Sequence, residues 1–325
     1  MTRYSPSEHF AEQLPRVQLV VRVVFYLPHD HKALAPVMQQ LLDTYLHHIG
    51  DARSKLTTGY NPDINEDWIP LTASTWKIIR EHLERPRFGY LDDMDEDSTW
   101  FWVLTKRGFD TWMQLTGDPF DPSGHEFRYI SRLPWREPSS EHSRLSVSVP
   151  IRFITDHGPD KVRELALALA EHLPFTTGHA GLSLSFTRGE SRLLPLLKDQ
   201  LIRHPGWDVP IAGTTVHLGN QIDGVHWLNF LGPSVLEAVG GAQTLRSRLS
   251  APDTTVQELT GGRALVTLGA APLAGDTKMD EPEPLLAYRE LARVLEPWLQ
   301  PFYPFNTWSD FTEEETRRWW RRFLD

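Results

Sequence analysis

Val17 to Leu27 constrains the fold of this chain more than any other stretch. Val17, Leu19, Val21, Val23, Phe25 and Leu27 line one face at period two, while Gln18, Val20, Arg22, Val24 and Tyr26 line the other. β-Branched and aromatic residues at both parities read as a central strand largely covered on both sides. Pro28 ends it. A helix is then expected from about Lys32 to Ile49, with Leu34, Val37, Met38, Leu41, Leu42, Tyr45 and Ile49 at helical spacing and Gly50 beyond its end. Pro36 is expected in its first turn, where a missing N–H costs nothing.

The pattern continues along the chain. Ser74 serves as N-cap for a helix to about Glu84, closed by Pro86. Leu145, Val147, Val149, Ile151 and Phe153 alternate with Arg144, Ser146, Ser148 and Arg152 as a second strand, and Pro150 in its outward set suits a sheet edge. Gly158-Pro159 opens a helix to about Leu173. Gly178-His179-Ala180-Gly181 leads into a strand with Leu182, Leu184 and Phe186, and helices follow over about Ser191 to Arg203 and Leu285 to Leu299. Ile222 to Leu268 reads as scaffold: a short buried strand, a helix-like segment to Gly240-Gly241, and a hairpin turning at Gly261-Gly262. These elements make an α+β fold, mainly antiparallel sheets with helices packed against them. Two related strand–helix lobes, 17–136 and 143–299, are compatible with the pattern, with Glu137 to Glu141 as linker. A helical tail covers 300–325, and a single integrated domain is the other arrangement.

Composition narrows the function classes. The chain of 325 residues carries 33 basic against 43 acidic side chains, a formal charge of −10. A negative field opposes general nucleic-acid binding, which depends on cationic contacts to phosphate. Cysteine is absent, which removes disulfides, thiolate metal sites and thiol nucleophiles together. Met1 to Pro15 has no apolar leader core, and no apolar window reaches the roughly 18 residues of a membrane span. A cytoplasmic protein without membrane attachment is expected.

No catalytic constellation emerges. There is no Gly-x-Ser-x-Gly elbow, no phosphate-binding Gly-x-x-x-x-Gly-Lys and no dinucleotide fingerprint. Among 14 histidines, His29/His31 and His47/His48 are near neighbours, but neither pair has metalloprotease spacing. Convergence of His179, His217 and His226 would give an alternative, a metal-dependent hydrolase. The expected reading has no catalytic residue, no metal and no cofactor. At the C-terminus Thr312 and Glu315 match a capping box, and Arg317, Arg318, Arg321 and Arg322 surround Trp319 and Trp320. That segment reads as an amphipathic helix docking its tryptophans, with a partner- or nucleic-acid-binding tail as the alternative.

Several stretches together resemble a known bacterial family. They are Leu19 to Leu27, His157 to Leu167, Pro174-Phe175-Thr176-Thr177-Gly178-His179-Ala180-Gly181-Leu182-Ser183, Val225-His226-Trp227-Leu228-Asn229-Phe230-Leu231-Gly232, Thr254 to Leu259, Gly262 to Gly269 and Tyr288 to Trp298. The chain is similar, over about Val17 to Leu299, to the type VI immunity family. Thr105 to Glu137 and Gln300 to Asp325 do not match a family pattern. The resemblance implies function by binding: occlusion of a cognate toxic effector of the type VI secretion system, with VRR-Nuc nucleases as the effector class. An acidic protein can compete for the basic groove in which a nuclease holds DNA. The matching motifs are structural, so interface candidates come from charge and from neighbouring aromatics: Glu66, Asp67, Asp92, Asp93, Asp95, Glu96 and Asp97, with Tyr90, Trp100 and Trp102 as anchors.

Overall fold

The computed structural model describes residues 17–61, 65–84, 95, 97–99, 111–134, 141–186, 194–209, 218–278, 285–303 and 311–325, with backbone alone at 65, 66, 121, 122 and 194–196. The chain is α+β, built on a sheet of ten antiparallel strands. In chain order these are β1 (Val17–Leu27), β2 (Thr58–Asn61), β3 (Asn65–Pro70), β4 (Trp112–Asp118), β5 (Asp121–Ile130), β6 (Ser143–Pro150), β7 (Thr177–Phe186), β8 (Leu228–Leu231), β9 (Thr254–Leu259) and β10 (Arg263–Leu268). Their order across the sheet is β3-β2-β4-β5-β6-β1-β7-β8-β10-β9. β1 is central: Phe25 lies opposite Leu145 of β6 on one side and Gly178 of β7 on the other. Strands on either side of the expected linker thus pair directly with each other.

One face of the sheet forms the main core. Val17, Leu19, Val21, Val23, Phe25 and Leu27 pack into one cluster with Leu34, Met38, Leu41, Leu42 and Tyr45 of α1 (His31–Ile49). Val162, Leu165, Ala166 and Leu169 of α5 (Pro159–His172) join them. Between these helices and α1 the chain adds α2 (Ala52–Lys55), α3 (Ala73–Glu84) and α4 (Arg152–His157). Each fully buried Phe, Leu or Val in this layer contributes roughly 1.5–3 kcal/mol. The second face is also covered. Val24 and Tyr26 contact Leu218 in a cluster of their own, and Arg22, Arg144, Ser146 and Ser148 are buried beside them.

Several expectations are corrected. Pro150 is the last residue of β6, an interior strand between β5 and β1. It is tolerated because the strand ends there, and Phe153 belongs to α4. Arg144, Ser146 and Ser148, expected on an outward face, lie inside because that face carries its own covering layer. Asp30 caps α1 by accepting from the Ala33 N–H, which places Pro36 in the second turn. Lys32 and Pro36 are both exposed, so water can serve the carbonyl the proline cannot reach. α3 starts two residues earlier than expected, and the Thr72 hydroxyl, rather than Ser74, accepts from the Thr75 N–H. β7 begins at Thr177, which draws Gly178 and His179 into the sheet.

The C-terminal half adds α6 (Leu194–Arg203), α7 (Pro233–Ala238), α8 (Gly241–Arg248), α9 (Leu286–Leu295) and α10 (Glu313–Trp320), with a 3-10 turn at Glu296–Trp298. Gly240 has φ +92° and Gly241 φ +85°, so the pair separates α7 from α8 where a side chain would be strained. The expected hairpin forms between β9 and β10, with Gly261 and Gly262 both at positive φ. The capping box at Thr312 and Glu315 is present. Beyond it Trp319 and Phe323 are buried, Trp320 donates its indole N–H to the Gln300 carbonyl at 2.8 Å, and Lys198 pairs with Glu315 at 2.6 Å. The tail docks on the body, and Trp319 is not available to stack on a base.

Gly178 shows how tightly the centre is packed. A Cβ there would stand 2.5 Å from Phe25 Cδ1 and 2.7 Å from the Val24 carbonyl. Gly178→Ala is therefore expected to cost about 1–3 kcal/mol through overpacking. Urea unfolding measures this, and an unchanged midpoint would mean that β1 and β7 can separate without penalty.

Candidate functional site

The residues with the most unusual chemistry meet on the second face of the sheet. His179 sits in β7, opposite Val24 of β1 and Asn229 of β8. The segment carrying Asp208 runs beside β7: Asp208 donates its N–H to the Leu182 carbonyl, and its carbonyl accepts from the Leu184 N–H and the Ser183 hydroxyl. His226 lies just before β8, in a turn that Asn229 closes by accepting from the His226 N–H at 2.9 Å and donating to its carbonyl at 2.7 Å. Backbone bonding brings these three segments together over one patch of sheet.

There the His179 and His226 rings stack with centroids 3.7 Å apart and planes 10° apart. His179 Nε2 stands 3.8 Å from Asp208 Oδ2, and Nδ1 stands 4.0 Å from Asp223 Oδ2. Arg22 of β1 donates to Asp208 Oδ2 at 3.2 Å, and the Tyr26 hydroxyl donates to Asp223 Oδ2 at 2.5 Å. Arg322, from the docked tail, donates to the Pro205 carbonyl and lies 3.9 Å over the Trp319 ring. Asp208, His179 and His226 are each more than 90% buried, at 8%, 3% and 4% exposure.

Burial and charge divide the two carboxylates. Burial alone would raise the pKa of Asp208, but the neighbouring His179 imidazole, 3.8 Å away, together with His226 and Arg22 holds it below the ordinary carboxylate range. Asp223 is pushed up, first by burial and then by the Asp208 charge. Burial also drives His226 well below the usual imidazole value, with His179 adding to the effect. The Arg322 guanidinium is lowered to about 10 by burial, against the pull of Asp208 and Asp223. Arg144 is likewise lowered to about 10, first by burial and then by Arg128 and Arg22. The result is an ion network inside the protein, where each charge depends on its neighbours for the solvation that water would supply.

Two of the three histidines proposed to converge therefore do so, His179 and His226, joined by Asp208. His217 falls outside the described residues. Asp208, Asp223, Arg22 and Tyr26 were not singled out by sequence. The signal was present at Arg22 and Tyr26: a charge and a phenol on the second face of a strand covered on both sides require buried partners. Asp208 lies between Trp207 and Val209, both buried, but their local pattern does not announce a carboxylate turned inward. Asp223 and His226 belong to the stretch read as scaffold.

The surface candidates are more dispersed. Tyr90, Asp92, Asp93, Glu96, Trp100 and Trp102 lie outside the described residues, as does the side chain of Glu66. Asp67 is exposed on β3, an edge strand of the sheet. Next to it Trp68 packs on Tyr60 at 5.7 Å, and Tyr60 packs edge-on against Trp112 at 5.4 Å. Asp95 and Asp97 are exposed and share one turn, in which Asp95 Oδ1 accepts from the Asp97 N–H at 3.0 Å. Phe120, which sequence did not flag, is 71% exposed in the turn between β4 and β5, where its N–H donates to Asp118.

Comparison with known proteins places these observations. A family model described as type VI immunity for VRR-NUC matches residues 83–323. Among solved structures, the chain is similar to the Pseudomonas aeruginosa T6SS protein PA0821. Sequence identity is 18%, coverage is 94% of this chain and 82% of that chain, and the TM-score is 0.71. At that identity the likeness is one of fold. No curated protein matches.

Two histidines elsewhere give a test of burial. His125 and His142 are lowered to about 4, each first by burial; Lys55 and Arg152 add to it at His125, Arg132 and His29 at His142. The unfolded chain takes up these protons near pH 6.5, whereas the folded chain resists them to about pH 4. Stability is therefore full above pH 6.5 and lost as pH falls toward 4, by up to about 3 kcal/mol per histidine. Urea midpoints measured across that range should fall on acidification, and the fall should shrink in His142→Gln. A pH-independent midpoint would show that these rings protonate in place.

Proposed function

The chain belongs to the type VI immunity family, and from that premise we propose that its cognate effector is a nuclease whose DNA-contacting surface it occludes. The observation that carries this reading is the family match over residues 83–323. The formal charge of −10 supports it. A nuclease cleft is basic because it must hold a polyanion, and an acidic protein meets that cleft with complementary potential and accelerated association. The cell interior is the compartment where such an enzyme meets DNA, and in this reading the immunity protein acts there. No described helix is long and apolar enough to cross a membrane.

The contact surface in this proposal comprises Asp67 with Glu66, the run Asp92, Asp93, Asp95, Glu96 and Asp97, and the aromatic anchors Tyr90, Trp100 and Trp102. Exposure of Asp67, Asp95 and Asp97 supports it. A stable complex requires about 800 Å² buried on each partner. Charged side chains at its rim govern how fast the complex forms, while buried aromatics govern how long it lasts.

Co-expression with the product of the adjacent gene tests the reading. A one-to-one complex that restores growth, and an effector that degrades DNA when alone, are the expected results. Rescue from an effector that leaves DNA intact would keep the immunity assignment and overturn the nuclease. Asp95→Lys/Asp97→Lys is expected to slow association about tenfold or more at low salt while leaving thermal stability unchanged. An unchanged on-rate would remove this turn from the interface.

A further inference from the structure

The buried histidine pair has lone pairs that the protein itself does not use. His179 Nε2 is buried without a hydrogen-bond partner. The His226 backbone is fixed by Asn229, but among the described residues no hydrogen bond reaches its ring nitrogens. Buried polar atoms are paired in the great majority of cases, and an exception points to a water or an ion. His125 Nε2 and His142 Nδ1 are buried and unpartnered as well, but no converging ligands surround either among the described residues. At His179 a second imidazole and a carboxylate do converge: His179, Asp208 and His226 each offer one ligand atom within 4.8 Å of the others.

We propose that His179, Asp208 and His226 bind a zinc-class divalent metal ion, which acts as a clip holding β7, the Asp208 segment and the His226 turn together. Two imidazole nitrogens and one carboxylate oxygen form the donor set of such ions, whereas Mg²⁺ and Ca²⁺ need a shell of oxygens. The neighbouring charges make the same choice. Arg22 already holds Asp208 Oδ2, and Arg322 is close enough to feel Asp208 and Asp223. These guanidiniums repel any divalent cation, so imidazole donation has to supply the main attraction.

The surroundings fit this assignment. Asp223 stands on the far side of His179, 4.0 Å from Nδ1, and is itself held by the Tyr26 hydroxyl. A carboxylate behind a ligating imidazole sets its tautomer and orientation. In the stack the two rings are parallel, so their in-plane lone pairs cannot meet at one ion; binding turns His226 out of the stack. Glycines leave space for that turn. A Cβ at Gly181 would stand 3.4 Å from His226 Nδ1, and one at Gly224 would stand 3.4 Å from His226 Nε2. The enclosed position suits a structural site rather than a catalytic one, which keeps an accessible coordination position for substrate. The hydrolase alternative is thereby replaced by a metal clip with no reaction assigned to it.

The test uses the untagged full-length chain, stripped with chelator and dialysed against Zn²⁺ or Co²⁺. Expected results are one ion per chain, a Co²⁺ visible spectrum of low-symmetry nitrogen and oxygen coordination, and a thermal midpoint raised by at least about 4 °C with Zn²⁺. His226→Gln should abolish both stoichiometric binding and the shift. Asp223→Asn, a positioning change, should weaken affinity about 10- to 100-fold with stoichiometry kept. His142→Gln, a buried histidine outside the cluster, should lower the midpoint yet retain the Zn²⁺ shift. Because His226→Gln can misfold, the wild-type measurement stands by itself: no bound ion and no midpoint shift at micromolar Zn²⁺ overturns the proposal and leaves water as the partner of these nitrogens. Undiminished stoichiometric binding in a folded His226→Gln would also overturn it, since the ion would lie elsewhere.

Discussion

Arg22 lies in the middle of a strand paired on both edges and covered on both faces, where an unpaired charge would cost several kcal/mol. Its contact with Asp208 at 3.2 Å is therefore a condition of the fold. To reach Arg22, Asp208 must be brought against β7, and its own backbone bonds to Leu182 and Leu184 do this. The same segment, through the Pro205 carbonyl, receives the guanidinium of Arg322 and so fixes the tail. One buried charge on β1 thus ties together an N-terminal strand, a connecting segment and the C-terminus. Such a network adds little to stability over an apolar core of equal shape, and much to which segments may pack there.

Two halves of the sheet were unequally legible. Wherever one apolar face decides the structure, periodicity was sufficient: α1, α5, the β9–β10 hairpin and the capped tail helix follow from residue spacing. Periodicity failed where both faces are covered. Arg144, Ser146 and Ser148 alternate with valine and leucine as in a half-exposed strand, yet they are buried, on the face where Val24 and Tyr26 meet Leu218. A polar residue in a strand reports that one face differs from the other, and not whether water lies beyond it. Pro150 misled for a related reason, since a proline can end an interior strand as readily as it can occupy an edge.

The candidate site divides in the same way. Residue type drew attention to His179 and His226; His217, grouped with them, lies outside the described residues, and the carboxylate that joins the pair is Asp208. Asp208 is separated from His179 by a helix and from β1 by most of the chain, and its role depends on a long-range pairing that no local pattern encodes. Asp223 and His226 lay in a stretch legible as scaffold, and they are scaffold in part. Their side chains contribute to a buried network while their backbone leads into β8. Assigning a stretch to structure does not exhaust what its polar residues do.

The division between inside and outside also separates the two functions argued for this chain. In the proposed reading, recognition of an effector depends on side chains that water reaches, such as Asp67, Asp95 and Asp97, which are exposed. These carry no folding constraint strong enough to leave a pattern; a solvated acidic turn and an acidic interface have the same sequence. The histidine–aspartate cluster obeys the opposite rule. Burial makes each of its atoms costly to leave unpaired, so its geometry is informative even without knowledge of a ligand. A family match identifies the first function because recognition is shared by descent rather than by local pattern. The second is read from unmet lone pairs, and depends on physics that holds whatever the effector proves to be.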